Sequence, residues 1–348
     1  MKISIGSKIK TGPWGGGNLF VINLKEYLES QNHEVVFDLN DDDIDIILLT
    51  DPRLVSESSS FDYIDVILYK KLVNPNPIIF HRINECDERK NTRKLNKFML
   101  KANNVADYTI FVSSWIKNLY SKLGHNKPSS VILSGSNTKI FNRNDFNTWD
   151  KNKKFKIVTH HWGSNWNKGF DAYKKLDDLL IDNFWSQKIE FSYIGNLPKK
   201  FKFINSKHIK PLSGMELSKE LKKNNLYITG SLNEPSGNHH IEASQCGLPV
   251  LYINSGGVTE YCKEYGVEFN IDNLEEKLNY TLMNYERLFE KMKSYPQNHI
   301  KMCQEYLALF INKKNDKHLK SKNIIFKNIF YIIYKFKGIF KAFILNEK

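Results

Sequence analysis

Short apolar runs alternate along the chain with stretches in which apolar residues recur every three or four positions. Ile3-Ser4-Ile5 lies within a strand predicted over 2–6, followed by a glycine-rich loop and a helical pattern over 19–28. Further strands are predicted at 34–37, 44–49, 78–80, 108–112 and 131–133. After a polar, charged stretch at 142–154, a second set follows at 156–159, 190–194, 226–229 and 250–253, with helices at 170–181, 215–223 and 239–246. Strand–helix alternation predicts parallel sheets with covered faces. The fold class is therefore α/β, with two doubly wound, Rossmann-like domains at 1–148 and 149–312 and a basic tail at 313–348. Ligand sites are expected at strand C-terminal ends and in the cleft between the domains.

Composition refines this picture. A chain of 348 residues is long for one domain, and 41% hydrophobic content excludes general disorder. Lys and Arg number 51 against 38 Asp and Glu, for a net charge of +13. The tail holds ten Lys against Asp316 and Glu347, so the body is only mildly basic. Cys86, Cys246, Cys262 and Cys303 are scattered, which suits a reducing compartment rather than a disulfide framework or a zinc site. The N-terminus reads as a strand rather than a leader, and no uncharged apolar run reaches the ~18 residues of a spanning helix. A cytoplasmic protein is expected.

In the tail, Ile325, Ile329, Ile332, Phe336, Phe340 and Phe343 gather on one helical face, with Lys327, Lys335, Lys337 and Lys341 spread over the other. That pattern predicts an interfacial helix for an anionic membrane surface; the plainer alternative is a helix packed on the protein's own domains. The basic residues form no nucleic-acid module, and no nucleic-acid partner is expected.

The most informative segment runs from Glu234 to Glu260, EPSGNHHIEASQCGLPVLYINSGGVTE. Pro235-Ser236-Gly237 suits a helix entry, where free backbone N–H groups and the helix dipole favour an anion. Glu242, two turns along, can accept hydrogen bonds from sugar hydroxyls. Gly247-Leu248-Pro249 closes the helix, a strand follows, and Gly256-Gly257 offers a loop that a diphosphate could approach. A glutamate pair on a surface helix is ordinarily just solvated; the ordered combination sets this one apart.

The segment resembles the donor-binding signature of retaining glycosyltransferases of family 4, whose two-domain fold is called GT-B. The resemblance implies that Glu242 holds the nucleotide ribose, that Glu234 contacts the donor sugar, and that backbone N–H groups of Ser236, Gly237, Asn238 and His239 face the sugar and phosphate. It extends to KIVTHHWGSNWNKGF at 156–170, where Lys168-Gly169 occupies the place of a lysine that neutralises the diphosphate. The family's arginine a few residues earlier is missing, with His160, His161, Ser164 and Asn165 as candidates for its place. The loop at 11–18, with Gly15, Gly16 and Gly17, resembles the family's glycine-rich loop facing donor and acceptor. His81, following 78–80, stands where the family often places a histidine on the transferred sugar; a lone histidine reads equally well as structural. Ser134-Gly135-Ser136 stands where a linker opens. Asp41-Asp42-Asp43-Ile44-Asp45 reads as a turn rather than a metal site.

The resemblance implies transfer of a sugar from a nucleoside-diphosphate donor to a glycan or lipid-linked acceptor, with retained configuration and no metal cofactor. Two rivals differ in class. A catalytically silent sugar-binding protein on the same fold would explain the missing arginine. An NAD-dependent oxidoreductase would need G-x-G-x-x-G, which the loop over 12–17 lacks.

Overall fold

The computed structural model describes residues 1–10, 15–54 and 56–316. The tail pattern from 317 onward therefore lies outside the described residues, as does the start of the glycine-rich loop. Twelve strands form two six-stranded parallel sheets. The first contains β1 (Lys2–Ile5), β2 (Glu34–Val36), β3 (Ile46–Leu49), β4 (Ile78–Ile83), β5 (Tyr108–Phe111) and β6 (Ser129–Val131), in the order β2-β1-β3-β4-β5-β6. The second contains β7 (Phe155–His161), β8 (Ile189–Gly195), β9 (Lys207–Ile209), β10 (Leu226–Thr229), β11 (Val250–Ile253) and β12 (Gly266–Phe269), in the order β12-β11-β10-β7-β8-β9. The central strands read as unbroken apolar runs because helices cover both faces of each sheet. Strand order reverses beside β1 in one sheet and beside β7 in the other, so the loops after β1, β7 and β10 open at switch points.

The helices are α1 (Gly16–Ser30), α2 (Tyr63–Leu72), α3 (Asp87–Lys90), α4 (Leu95–Asn103), α5 (Ser114–Lys122), α6 (Phe170–Leu179) and α7 (Asn183–Lys188). They continue as α8 (Gly214–Leu221), α9 (Asn238–Gln245), α10 (Val258–Cys262), α11 (Leu274–Met283), α12 (Tyr285–Lys291) and α13 (His299–Asn315). α13 returns to the first sheet: Met302, Cys303, Tyr306 and Phe310 are buried with Ile3, Leu24 and Phe80. The stretch 299–312, which the sequence pattern assigns to the second unit, thus completes the core of the first. The reason is its apolar face, which finds its complement on α1 and β4 rather than on the nearer sheet.

The chain passes between the halves twice, and the two passages touch. Ser136 and Asn298 form an isolated parallel bridge, and His299 N donates to Ser136 O at 2.9 Å. At the N-terminal end of β3, Lys2 gathers Asp41 and Asp43 at 3.1 and 2.8 Å, so this acidic run is a turn held by a lysine. The four cysteines are free and buried. Among the described residues no helix is long and apolar enough to cross a membrane.

Candidate active site

β7 delivers His160 and His161 to the mouth between the two sheets, and the chain then turns through Trp166–Lys168 into α6. Gly169 makes that turn possible. Its φ is +104°, and a Cβ there would stand 2.6 Å from the Gly230 backbone at the exit of β10. This close approach brings Lys168 beside Glu234, and the two side chains form a buried ion pair. Gly237, at φ +79°, ends the loop and lets α9 begin at Asn238 with no side-chain cap. Ser236, Gly237, Asn238 and His239 therefore present a bare helix N-terminus to the cleft.

The cleft has a volume of about 500 Å³ and draws its walls from both halves. Glu234 and Glu242 face it on either side of the α9 entry, with Lys168 between the walls and Gly15, Gly16 and Gly17 opposite. Gly16 lies so close to the Asn238 side chain that an added Cβ would stand 2.7 Å from it. The N-termini of α1 and α9 thus meet across the cleft, both aiming positive dipole ends into it.

Glu234 carries a second cation that comes from the opposite half. Arg89 Nε, on α3, lies 3.0 Å from Glu234 Oε1. Asn167 and Asn233 dock that helix by donating to the Arg89 and Glu88 carbonyls at 3.3 and 3.4 Å. Burial alone would raise the Glu234 carboxyl, but Lys168 and Arg89 outweigh it and hold the group at about 2. Burial draws the Lys168 ammonium below its ordinary value, with Glu234 pulling the other way. Glu242 is oriented by His160, whose Nε2 lies 2.9 Å from Oε2. Tyr227 Oη in turn accepts from the His160 backbone N–H at 3.1 Å.

Three neighbouring histidines are neutral supports. Burial lowers His161 and His239 well below the ordinary value and brings His240 to about 4. They bond to Tyr173, Thr229 and the Ser236 carbonyl at 2.6, 3.0 and 2.5 Å respectively. Among the described residues no group of three or more His, Cys, Asp or Glu side chains is placed to hold a metal ion.

Residues 196–301 match the family described as glycosyl transferases group 1. No curated protein matches the chain. Solved structures do. The sucrose-phosphate synthase of Thermosynechococcus elongatus superposes with a TM-score of 0.64 at 14% identity, covering 91% of this chain and all of that one. A glycosyltransferase from Rickettsia africae gives 0.65 at 13% identity over 91% of this chain and 99% of that one. HepE of Anabaena, solved with UDP-glucose, gives 0.65 at 11% identity over 89% and 99%.

The fold is GT-B.

Within the GT-B frame the expected residues separate into two groups. Lys168, Glu234, Ser236, Gly237, Asn238, His239, Glu242 and Gly15 to Gly17 all line the one cleft. His81 does not. It lies inside β4, fully buried, with Nδ1 2.9 Å from Asn103 Oδ1, and burial lowers it to about 4. β4 runs on to Ile83, so the cleft begins at Arg82 and Asn84 instead. Gly256 and Gly257 also face away from the cleft. Added Cβ atoms would stand 2.4 Å from Glu234 O and 2.2 Å from Pro235 O, so this loop backs the Glu234 segment rather than meeting a ligand.

Arg89, Arg82 and the His160–Glu242 contact escaped the sequence reading in its detail. Arg82 adjoins His81 in the tetrapeptide HRIN, so a strand drawn to its true end would have exposed it. Arg89 has no local signal, because its partner comes from the other half of the chain.

Proposed function

We propose that the chain is a glycosyltransferase that takes a sugar from a nucleoside-diphosphate donor. In this reading Glu242 accepts hydrogen bonds from the ribose hydroxyls, with His160 fixing its carboxylate. Lys168 and the bare α9 N-terminus bind the diphosphate, and Glu234, held ionised by two cations, lies against the sugar. The anomeric carbon–oxygen bond to the diphosphate breaks as the acceptor oxygen bonds from the same face, so configuration is retained without a covalent intermediate or a metal. Preorganised donors aimed at the departing diphosphate supply most of the acceleration. The observation that carries this reading is the placement of Glu234 and Glu242 on either side of an uncapped helix N-terminus, with Lys168 beside them. The group 1 match over 196–301 supports it, and the complex of HepE with UDP-glucose makes that sugar the first donor to try.

Arg89 brings a second cation to the cleft beside Lys168, paired to Glu234 and Glu85, and donor turnover decides between the transferase and the silent-binder reading. The acceptor is a glycan or a lipid-linked sugar. The lipid option rests on the basic tail, and cosedimentation of the full chain with anionic vesicles tests it.

The deciding experiment scores UDP-, GDP- and ADP-sugars for nucleotide release with EDTA present, with wild type beside Glu242→Ala. Release from one donor, with nucleotide affinity about 100-fold weaker in the variant, is expected from losing two charge-assisted hydrogen bonds. Binding of none of the three nucleotides would remove the assignment. Release abolished by EDTA would remove metal independence alone. The anomeric proton of the product reads retention.

A further inference from the structure

Arg82 lies on β4 with 5% of its surface exposed, yet it lines the cleft. Its guanidinium carbon sits 4.1 Å from the centroid of the Phe20 ring, and the Tyr306 hydroxyl is beside it. Among the described residues its Nε has no hydrogen-bond partner. The other arginines and the lysine of α3 on the same wall are matched. Asp51 takes Arg53 at 2.7 Å, and Glu85 takes Arg89 and Lys90 at 3.3 and 3.5 Å. Among the described residues no carboxylate lies within ion-pair reach of Arg82. The Phe20 ring and the Tyr306 hydroxyl replace only part of the hydration that a guanidinium this deep gives up.

Phe20 places Arg82 under a second open feature. Its side chain lies a turn into α1 and leans toward that helix's N-terminus. There Gly15 is the cap position, among the described residues no side chain caps the helix, and the first turn carries no acid. A buried guanidinium without a carboxylate and a helix end without a side-chain cap among the described residues therefore converge on one wall. The lining as a whole leans the same way, with seven Lys or Arg side chains against four Asp or Glu. Lys168, Glu234, Ser236 to His239 and Glu242, which the proposed function gives to the donor, belong to the opposite half, whereas Gly15 to Gly17 at this helix end are expected to face donor and acceptor alike.

We propose that Arg82 and the open N-terminus of α1 form an anion subsite that holds a phosphate group of the acceptor. The word acceptor rests on the transferase reading, whereas the anion subsite rests on Arg82 and α1 alone. Phosphate could also come from the donor's own diphosphate, so the test must separate the two sources.

Inorganic phosphate is titrated calorimetrically into protein saturated with whichever of UDP, GDP or ADP binds, for wild type, Arg82→Gln and Arg82→Lys. The expected result is phosphate binding to the nucleotide-loaded wild type, weakened about tenfold or more in Arg82→Gln and partly restored in Arg82→Lys, as for a lost charge-assisted contact. Nucleotide affinity should stay within about twofold across the three. Absence of phosphate binding to the loaded wild type, or full binding by Arg82→Gln, overturns the subsite. A matching loss of nucleotide affinity overturns the acceptor assignment and gives Arg82 to the donor diphosphate. If no nucleotide binds, the transferase reading fails, and phosphate binding by wild type against Arg82→Gln still decides the subsite. Should Arg82→Gln not fold, phosphate protection of Arg82 from phenylglyoxal in loaded wild type, mapped by mass spectrometry, reads the same contact, and absence of protection counts against it.

Discussion

His81 and Arg82 are neighbours whose side chains go opposite ways, as successive residues on a strand must. His81 turns toward Asn103 at the end of α4, while Arg82 reaches the cleft beside Phe20. His81→Leu should therefore cost about 1 kcal/mol for the lost bond to Asn103, whose Oδ1 keeps Thr109, while leaving kcat within a few-fold. A collapse of kcat at unchanged melting temperature would return His81 to the chemistry. Arg89→Ala should lower donor turnover by roughly 10- to 100-fold, with Arg89→Lys in between, because one of two cations on the buried Glu234 is lost. Equal turnover in wild type and alanine variant would reduce Arg89 to a docking residue. Glu234, Lys168 and Glu242 were legible in the sequence through the family resemblance, helped by the local turn or helix start that sets each. Arg89 was not, since its role exists only once two remote segments meet.

Among the elements, α10 shows how a motif can be recognised and its job misjudged. The spacing Gly256-Gly257-x-x-Glu260 suggested a phosphate loop. Its glutamate instead accepts from the backbone N–H groups of Ser114 and Trp115 at 2.8 and 2.9 Å, capping α5 across the domain boundary. Tyr261 Oη adds a bond to Val112 O at 2.7 Å. The glycines do allow a close approach, but what approaches is the protein's own chain and not the diphosphate that the sequence led us to expect. α13 makes the same point for packing: its apolar spacing predicts a helix, but nothing local says which sheet it covers. Phe310→Ala should destabilise the first half by about 3–5 kcal/mol, measured by urea unfolding of the full chain. A loss confined to the second half would contradict the packing seen here.

For the whole molecule, acid is the telling variable. Burial holds His81 and His240 at about 4 and keeps His161 and His239 well below 6.5. As pH falls from 6.5 toward 4, the unfolded chain takes up protons that the folded chain refuses, so stability drops through that window. A fall from 6.5 to about 4 amounts to roughly 3 kcal/mol for each of His81 and His240. The contribution of Glu234 is present above 4.5 and is lost only as pH approaches 2. Melting temperature should thus decline steadily below about pH 6.5; a plateau extending to pH 5 would show that these imidazoles are not buried as described.

The paired passages at Ser136 and Asn298 act on the molecule as a door hinge acts on a door. Two passages fixed side by side make their common line the natural axis for any swing of the halves, a swing that the bonds of Glu260 and Tyr261 to the first half resist. Gly135 is the pin of that hinge, because a Cβ there would stand 2.1 Å from Asn298 O and wedge the leaves apart. The width of the mouth and the grip of Arg89 on Glu234 then become a single angular coordinate. Whatever sets that angle sets how completely the charge on Glu234 is balanced.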